Sequence, residues 1–299
     1  MTTDTPQMDL PAALALRRDH LLRTQNADGG WGYFPGKESW LEPTVYAALA
    51  LQGEPASQKA LALLATWQRA DGAWRAGAKV PDAHWATALM LVLYRAMNRQ
   101  DTAYTKGLDW LSKVAGTEGS LPVRMMQYFL GNPADQDETI HGWPWRPGNS
   151  SWVEPTAHAL VALKQSGRAN AYADRIAEGE GYLFNRRCPD GGWNYGNKRV
   201  FNTNLTSYPE TTALAILGLQ GRKLAELKPS FDRAILQMKS ARSGLAKAWL
   251  TIALRAHGVS FEPPPLGALA PGGDLAVTGL ELLAHDKAGT AFRVEKQPS

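Results

Sequence analysis

The sequence predicts an all-α chain folded as an (α/α) toroid of five to six helical hairpins, and three observations carry that expectation. A spaced signature, Leu-x3-Gln-x3-Gly-x-Trp, occurs at Leu21, Gln25, Gly29 and Trp31 and again at Leu64, Gln68, Gly72 and Trp74. Leu183, Arg187, Gly191 and Trp193 keep its frame with Arg in place of Gln. Each signature precedes a small, nearly uncharged apolar segment: residues 40–51, 152–163 and 208–219 superpose without gaps, and 81–91 is a looser copy. A helix apolar on nearly every side is buried on nearly every side, so these segments form an inner layer. Self-similarity at a few tens of residues marks stacked units, here an outer helix, a Gly-containing turn and an inner helix.

In chain order, residues 1–9 read as a frayed, disordered start and 10–25 as the first outer helix, with Leu14, Leu16, Leu21 and Leu22 mostly on one side. Asp28-Gly29-Gly30 and Asp71-Gly72 are turn signals after helices. Residues 53–57 and 167–170 return the chain to the outside. Two decayed signatures, Leu111/Ala115/Gly119 and Leu236/Ser240/Gly244, keep the leucine and glycine but lose Gln and Trp, bringing the visible hairpins to five. The third unit is long: 43 positions separate Leu111 from Glu154, against 21 from Leu21 to Glu42, 18 from Leu64 to Asp82 and 27 from Leu183 to Glu210. An insertion at about 120–145 accounts for the excess, and long excursions in compact domains are often lids or binding loops. It carries the apolar run 121–130, the acidic run 135–139 and Trp143 and Trp145. After Gly258 the chain turns Pro- and Gly-rich, which leaves the last inner candidate, 274–283, without a clear outer partner. Its Asp274 stands in register with Glu42. The domain is single, 10–286, followed by a loose polar tail, 287–299.

Composition narrows function. At 299 residues and 44% apolar content the chain can bury a substantial core. A net charge of +4 with scattered Lys and Arg gives no basic stripe, which disfavours nucleic acid. One cysteine, Cys188, allows no internal disulfide and none of the multi-cysteine zinc patterns, as expected of a reducing, cytoplasmic setting. No apolar run reaches the about 20 residues needed to span a bilayer.

The signature followed by a Thr-Ala-x-Ala-Leu type helix resembles the QW repeat of the squalene-hopene cyclase and oxidosqualene cyclase superfamily, over roughly residues 10–257. The resemblance implies the toroid shared with protein prenyltransferase β subunits, the β domain of class II diterpene cyclases and complement thioester domains. A shared fold hosts unrelated chemistries. The prenyltransferase zinc site of Asp, Cys and His has no match around Cys188, which follows Arg186-Arg187 and precedes Pro189, and the Cys-Gly-Glu-Gln run of thioester domains is missing. Class II cyclases carry Asp-x-Asp-Asp-Thr-Ala, whose middle aspartate protonates an alkene or epoxide. Two places echo it: Asp135-Gln136-Asp137-Glu138-Thr139, and Glu154-Pro155-Thr156-Ala157 at the start of an inner segment. The resemblance therefore implies a protonation-initiated isoprenoid cyclase needing no metal or cofactor. Asp137 or Glu154 would be the donor, with Asp135 and Glu138 beside the first. Full triterpene cyclases form their pocket between two toroids, so a homodimer or partner subunit is implied as well.

An acid that protonates an alkene must hold its proton in a dry site, by desolvation or neighbouring negative charge. Inner helices of a closed toroid run parallel, so Glu42, Asp82, Glu154, Glu210 and Asp274 would gather at one mouth. The bland alternative is helix capping: Ser39/Glu42, Ser151/Glu154 and Ser207/Glu210 have capping-box spacing, and a capping carboxylate is held ionised. His84 replaces Thr at the mouth, and His158 lies four residues past Glu154 on the same face. Trp40, Tyr46, Trp85, Trp143, Trp145, Trp152, Tyr195, Tyr208 and Trp249 cluster near inner-helix starts, where ring faces could stabilise a carbocation. From these, Trp40, Glu42, Asp82, His84, Trp143, Trp145, Trp152, His158, Tyr208 and Glu210 form the expected substrate site for an apolar, isoprenoid-like molecule. The rival expectation is a non-catalytic toroid that binds an apolar ligand or a protein. A membrane-surface role for 121–130 is a third reading and is not favoured.

Overall fold

In the computed structural model the described residues are 9–119, 125, 129, 136–286 and 291–295. Among them are eleven α-helices: α1 (Leu10–Thr24), α2 (Leu41–Ala50), α3 (Pro55–Ala65), α4 (Thr87–Ala96), α5 (Thr102–Lys113), α6 (Val153–Gln165), α7 (Ala173–Asn185), α8 (Pro209–Gly218), α9 (Leu224–Ser240), α10 (Gly244–Ala256) and α11 (Leu275–His285). Two short antiparallel ribbons complete the order, β1 (Trp143–Pro144) with β2 (Ser151–Trp152) and β3 (Arg199–Val200) with β4 (Thr203–Asn204).

The inner helices form a closed ring: α2 packs on α4, α4 on α6, α6 on α8, α8 on α10, α10 on α11, and α11 back on α2. Small residues make the close approaches feasible. A Cβ on Gly279 of α11 would come within 2.9 Å of the Tyr46 carbonyl carbon in α2, so the ring closes there only without a side chain. α1, α3, α5, α7 and α9 form the outer layer.

One clamp recurs at the turns. Trp31, Trp74, Trp143 and Trp193 are buried, and their indole N–H groups donate to the carbonyls of Leu21, Leu64, Leu111 and Leu183 at 2.9, 3.0, 2.8 and 2.6 Å. Their backbone N–H groups donate to the Oγ1 atoms of Thr44, Thr87, Thr156 and Thr212 at 2.9, 2.9, 2.8 and 3.0 Å. Gln25 and Gln68 then bridge to the next outer helix, donating to the Ala56 and Ala103 carbonyls at 2.9 and 2.8 Å. Arg187 does the same to Glu226 at 3.2 Å. The signature glycine packs against that neighbour: Gly72 has φ +96°, and a Cβ there would lie 2.4 Å from the Lys106 carbonyl oxygen.

The clamp corrects two readings. In the second unit it engages Thr87, so Thr87 and Trp85 occupy the places of Thr44 and Glu42, three positions on from His84 and Asp82. In the third unit Trp143 supplies the tryptophan that the Leu111 signature lacks, because the insertion falls between turn and clamp. Asp135 and the run 121–130, Met125 and Phe129 aside, lie outside the described residues, as do residues 1–8. No helix among the described residues is long and apolar enough to cross a membrane.

The last unit has no outer helix; residues 257–274 run largely without regular structure. Arg17 of α1, 2% exposed, ties this seam by an ion pair of 2.6 Å to Glu281 of α11 and a 2.7 Å bond to the Gly267 carbonyl. Residues 291–295 do not trail off as the polar composition suggested. Phe292 is 2% exposed and packs against Tyr46, His158 and Trp249 at ring distances of 6.4, 6.3 and 5.3 Å.

Candidate active site

Glu42, Glu154 and Glu210 are the second residues of α2, α6 and α8, and Asp274 caps α11, so all four lead inner helices at one end of the ring. Only Asp274 behaves as a cap, accepting from the N–H groups of Ala276 and Val277 at 2.8 and 3.3 Å. The glutamates make no cap bond at their own helices. The serines of the expected capping boxes are engaged elsewhere: Ser39, Ser151 and Ser207 donate to Asp28, Glu118 and Asp190 at 2.8, 2.9 and 2.9 Å. Each of those acids immediately precedes a signature glycine. The three glutamates are thereby left half-buried at this mouth of the ring.

Electrostatics there favour the protonated forms of Glu154 and Glu42. Burial pushes Glu154 up to about 8, and the charges of Glu42 and then Glu210 push the same way. Burial also raises Glu42, Asp274 adds to the rise, and the Tyr33 hydroxyl, donating to Glu42 Oε2 at 2.5 Å, opposes it. Among the described residues no cation acts on Glu42 or Glu154. The Tyr46 hydroxyl is buried close to Glu42 without a hydrogen bond of normal geometry.

One turn below Glu154, His158 is fully buried, and burial drives its imidazole down to about 3, so it is neutral. Neither of its ring nitrogens has a hydrogen-bond partner. Its ring lies 5.2 Å from Trp85 and 5.5 Å from Trp249. Trp145, arriving from the insertion, meets Trp85 edge-on at 5.1 Å and accepts from the Trp85 N–H at 3.1 Å. His84, tilted on Trp85 at 5.8 Å, is pushed down to about 4 by burial. Carboxylates thus ring the mouth and aromatic rings floor it.

Several expected site residues lie elsewhere. Asp82 is exposed and paired with Arg146, because the true register puts Trp85 at the mouth. Trp143 is consumed by the clamp, with the Arg175 guanidinium 3.5 Å over its ring. Trp40 and Trp152 are 37% and 39% exposed and cover Gly77 and Gly196 of the following units. They line clefts of about 420 and 780 Å³ outside the ring. Tyr208, 5.3 Å from Tyr195, borders the larger cleft. Asp137 stands on an exposed turn beyond the end of α7, where its N–H donates to Asn185 at 3.0 Å. Its carboxylate accepts from Thr139 Oγ1 at 2.6 Å and Thr139 N at 2.8 Å, bonds that hold it below the usual range. Glu138 lies 3.7 Å from Arg186, in the larger cleft.

Tyr33 and Phe292 were missed by the sequence reading. A signal existed for Tyr33: the residue two past the clamp tryptophan is Tyr33, Trp145 and Tyr195 in three units, and the first two reach the mouth. Among the described residues no group of three His, Cys, Asp or Glu side chains is arranged to hold a metal ion.

No family model matches the chain. It is 27% identical over 187 residues to drimenyl diphosphate synthase from Streptantibioticus cattleyicolor, covering 61% of this chain and 32% of that protein. It is 32% identical over 103 residues to (+)-kolavenyl diphosphate synthase from Herpetosiphon aurantiacus, covering 34% and 18%. The chain therefore spans about a third or less of the length of these relatives. Among solved structures, the type II terpene cyclase MstE from Scytonema superposes with a TM-score of 0.56 at 16% identity, over 94% of this chain and 99% of that one. The GH76 α-mannanase from Bacteroides thetaiotaomicron superposes with a TM-score of 0.55 at 11% identity, covering 94% and 96%. The structural likenesses show the toroid alone, since they join a cyclase and a glycosidase.

Proposed function

We propose that this terpenoid cyclase-like chain catalyses a protonation-initiated, class II type cyclisation of an isoprenoid substrate, with Glu154 as the proton donor. The observation that carries the proposal is the convergence of Glu42 and Glu210 on Glu154 at the half-buried mouth of the ring, where no described cation acts on it. The names of the sequence relatives agree with it. So do the complexes of the Scytonema enzyme, with geranylgeranyl dihydroxybenzoate as substrate and merosterolic acid A as product.

With Glu154 raised to about 8, its carboxyl is protonated at neutral pH and available as a general acid. Such a group is a weak acid toward an alkene, so the cation must be stabilised as it forms. Departure of the proton leaves the Glu154 carboxylate beside the new carbocation, and that charge stabilises it. Aromatic faces at Trp85 and Trp145 add cation–π stabilisation. Attack by the next double bond closes a ring, and loss of a proton to a carboxylate of the cluster ends an isomerisation with no net proton change.

Asp137 is the poorer donor, held ionised at the surface. A homodimer or partner subunit closing the mouth, and a cytoplasmic location, belong to the same proposal. One observation favours a non-catalytic ligand-binding toroid instead: below the carboxylates the centre is filled by Tyr46, His158, Trp249 and Phe292. The test is incubation with isoprenoids of fifteen to thirty carbons, free and as diphosphates, using wild type, Glu154→Gln and Asp137→Asn. Wild type and Asp137→Asn convert a substrate, and Glu154→Gln loses roughly 10²–10⁴-fold. Unchanged substrate in every arm with folded protein, or full activity in Glu154→Gln, ends the proposal.

A further inference from the structure

The acidic mouth lies at the N-terminal ends of the inner helices, and residues 291–295 occupy the opposite end. Gln165, the last residue of α6, donates from Nε2 to the carbonyls of Ala291 and Arg293, both at 3.0 Å. Gln220, just past α8, donates to the Phe292 carbonyl at 2.9 Å and accepts from the Val294 N–H at 2.9 Å. Gln165 and Gln220 grip the segment from both sides through its backbone, whatever its side chains. Phe292 is the residue of the segment that is fully buried. Its side chain rests against Tyr46, His158 and Trp249, each no more than 3% exposed.

Tyr46 and His158 lie one turn below Glu42 and Glu154 on the same helices, so these rings floor the mouth. That floor spans the axis of the toroid, where no inner helix runs to support it, and Phe292 fills the space beneath. His158 keeps two unpartnered ring nitrogens there, an uncommon state for a buried polar side chain. Shape rather than hydrogen bonding therefore holds the floor in place.

We infer that Phe292 is a specificity-determining residue: it props the aromatic floor and so sets the longest isoprenoid chain that the mouth accepts. The inference rests on the reading that the mouth takes an isoprenoid. Removing the ring opens a cavity that the floor can sink into or a longer chain can fill. Enlarging it raises the floor.

The test separates binding from turnover. Fully saturated isoprenoid alcohols of ten, fifteen, twenty and twenty-five carbons, which offer no alkene to protonate, are titrated and their binding is read by calorimetry. Wild type shows a chain length beyond which affinity collapses. In Phe292→Ala this limit rises by roughly one isoprene unit, with at least a tenfold gain for the first chain that wild type excludes. The pair Gln165→Ala with Gln220→Ala behaves likewise although Phe292 is retained, and Phe292→Trp lowers the limit. A limit unchanged in all three folded variants overturns the inference, as does a wild type that binds no member of the series. A limit that moves while no unsaturated substrate is converted supports the prop and rejects the cyclisation. Conversion with an unmoved limit does the reverse.

Discussion

Replacing Glu154 by Gln should stabilise the protein at alkaline pH while removing its chemistry. In the folded chain the carboxyl is raised from 4.5 to about 8. Between those values the native state holds a proton that the unfolded chain has released, so stability falls as pH rises through the window and the loss is complete above about 8. At about 1.4 kcal/mol per pH unit the ceiling is about 5 kcal/mol. Glu154 is half-buried and keeps some solvent, so about half of that, roughly 2–3 kcal/mol, is the expected loss. Gln preserves size and polarity but cannot ionise. Urea unfolding of wild type and Glu154→Gln at pH 5.0 and 8.5 isolates the effect, because the other titrating groups are common to both. Wild type should lose roughly 2–3 kcal/mol more than the variant over this interval. Parallel pH profiles would show that Glu154 ionises freely, and the argument for its role as a proton donor would go with them. In the same interval the activity of wild type should decline as pH passes about 8.

Three further outcomes follow from the geometry. Asp137→Asn, on an exposed turn where Asn can still accept from Thr139, should leave turnover intact and shift stability by no more than about 0.5 kcal/mol, measured by urea midpoint. Thr156→Val strands the buried Trp143 N–H without its acceptor and should cost about 1–3 kcal/mol, with the change confined to stability rather than to the pH profile of any activity. Gly279→Ala forces a methyl into the α2 backbone and should cost about 1–3 kcal/mol or more, read as a lowered thermal midpoint. An unchanged midpoint there would mean that the ring does not close on α11.

The double ring was legible because each unit repeats one clamp, and the clamp fixes residue types at fixed intervals. Leu21, Gly29 and Trp31 return as Leu64, Gly72 and Trp74 since the same indole must reach the same carbonyl. The second unit was misregistered for want of a better ruler. The acid two places before a polar residue, Asp82 before His84 like Glu42 before Thr44, drew the alignment, whereas the interval of 13 from Trp to Thr, common to Trp31/Thr44, Trp74/Thr87 and Trp143/Thr156, marks the register directly. That ruler also finds Trp143 across the insertion. The gathering of Glu42, Glu154 and Glu210 followed from parallel inner helices. Their freedom from capping did not, because it depends on serines bonding to Asp28, Glu118 and Asp190 across the turn. Phe292 had no signal at all: a single aromatic residue in a polar tail gains its place only from the cavity that other elements build.

Ring closure has a consequence for how the molecule is made. α2 is made well before its last wall, α11, which is about 230 residues further along the chain. Until that wall arrives, the growing chain is an open arc whose two apolar edges, on α2 and on the newest inner helix, face water. Such edges invite the wrong partner, including the same edges of a neighbouring nascent chain. Conditions that slow synthesis of the final unit should therefore raise the demand for chaperones more than equal delays earlier in the message.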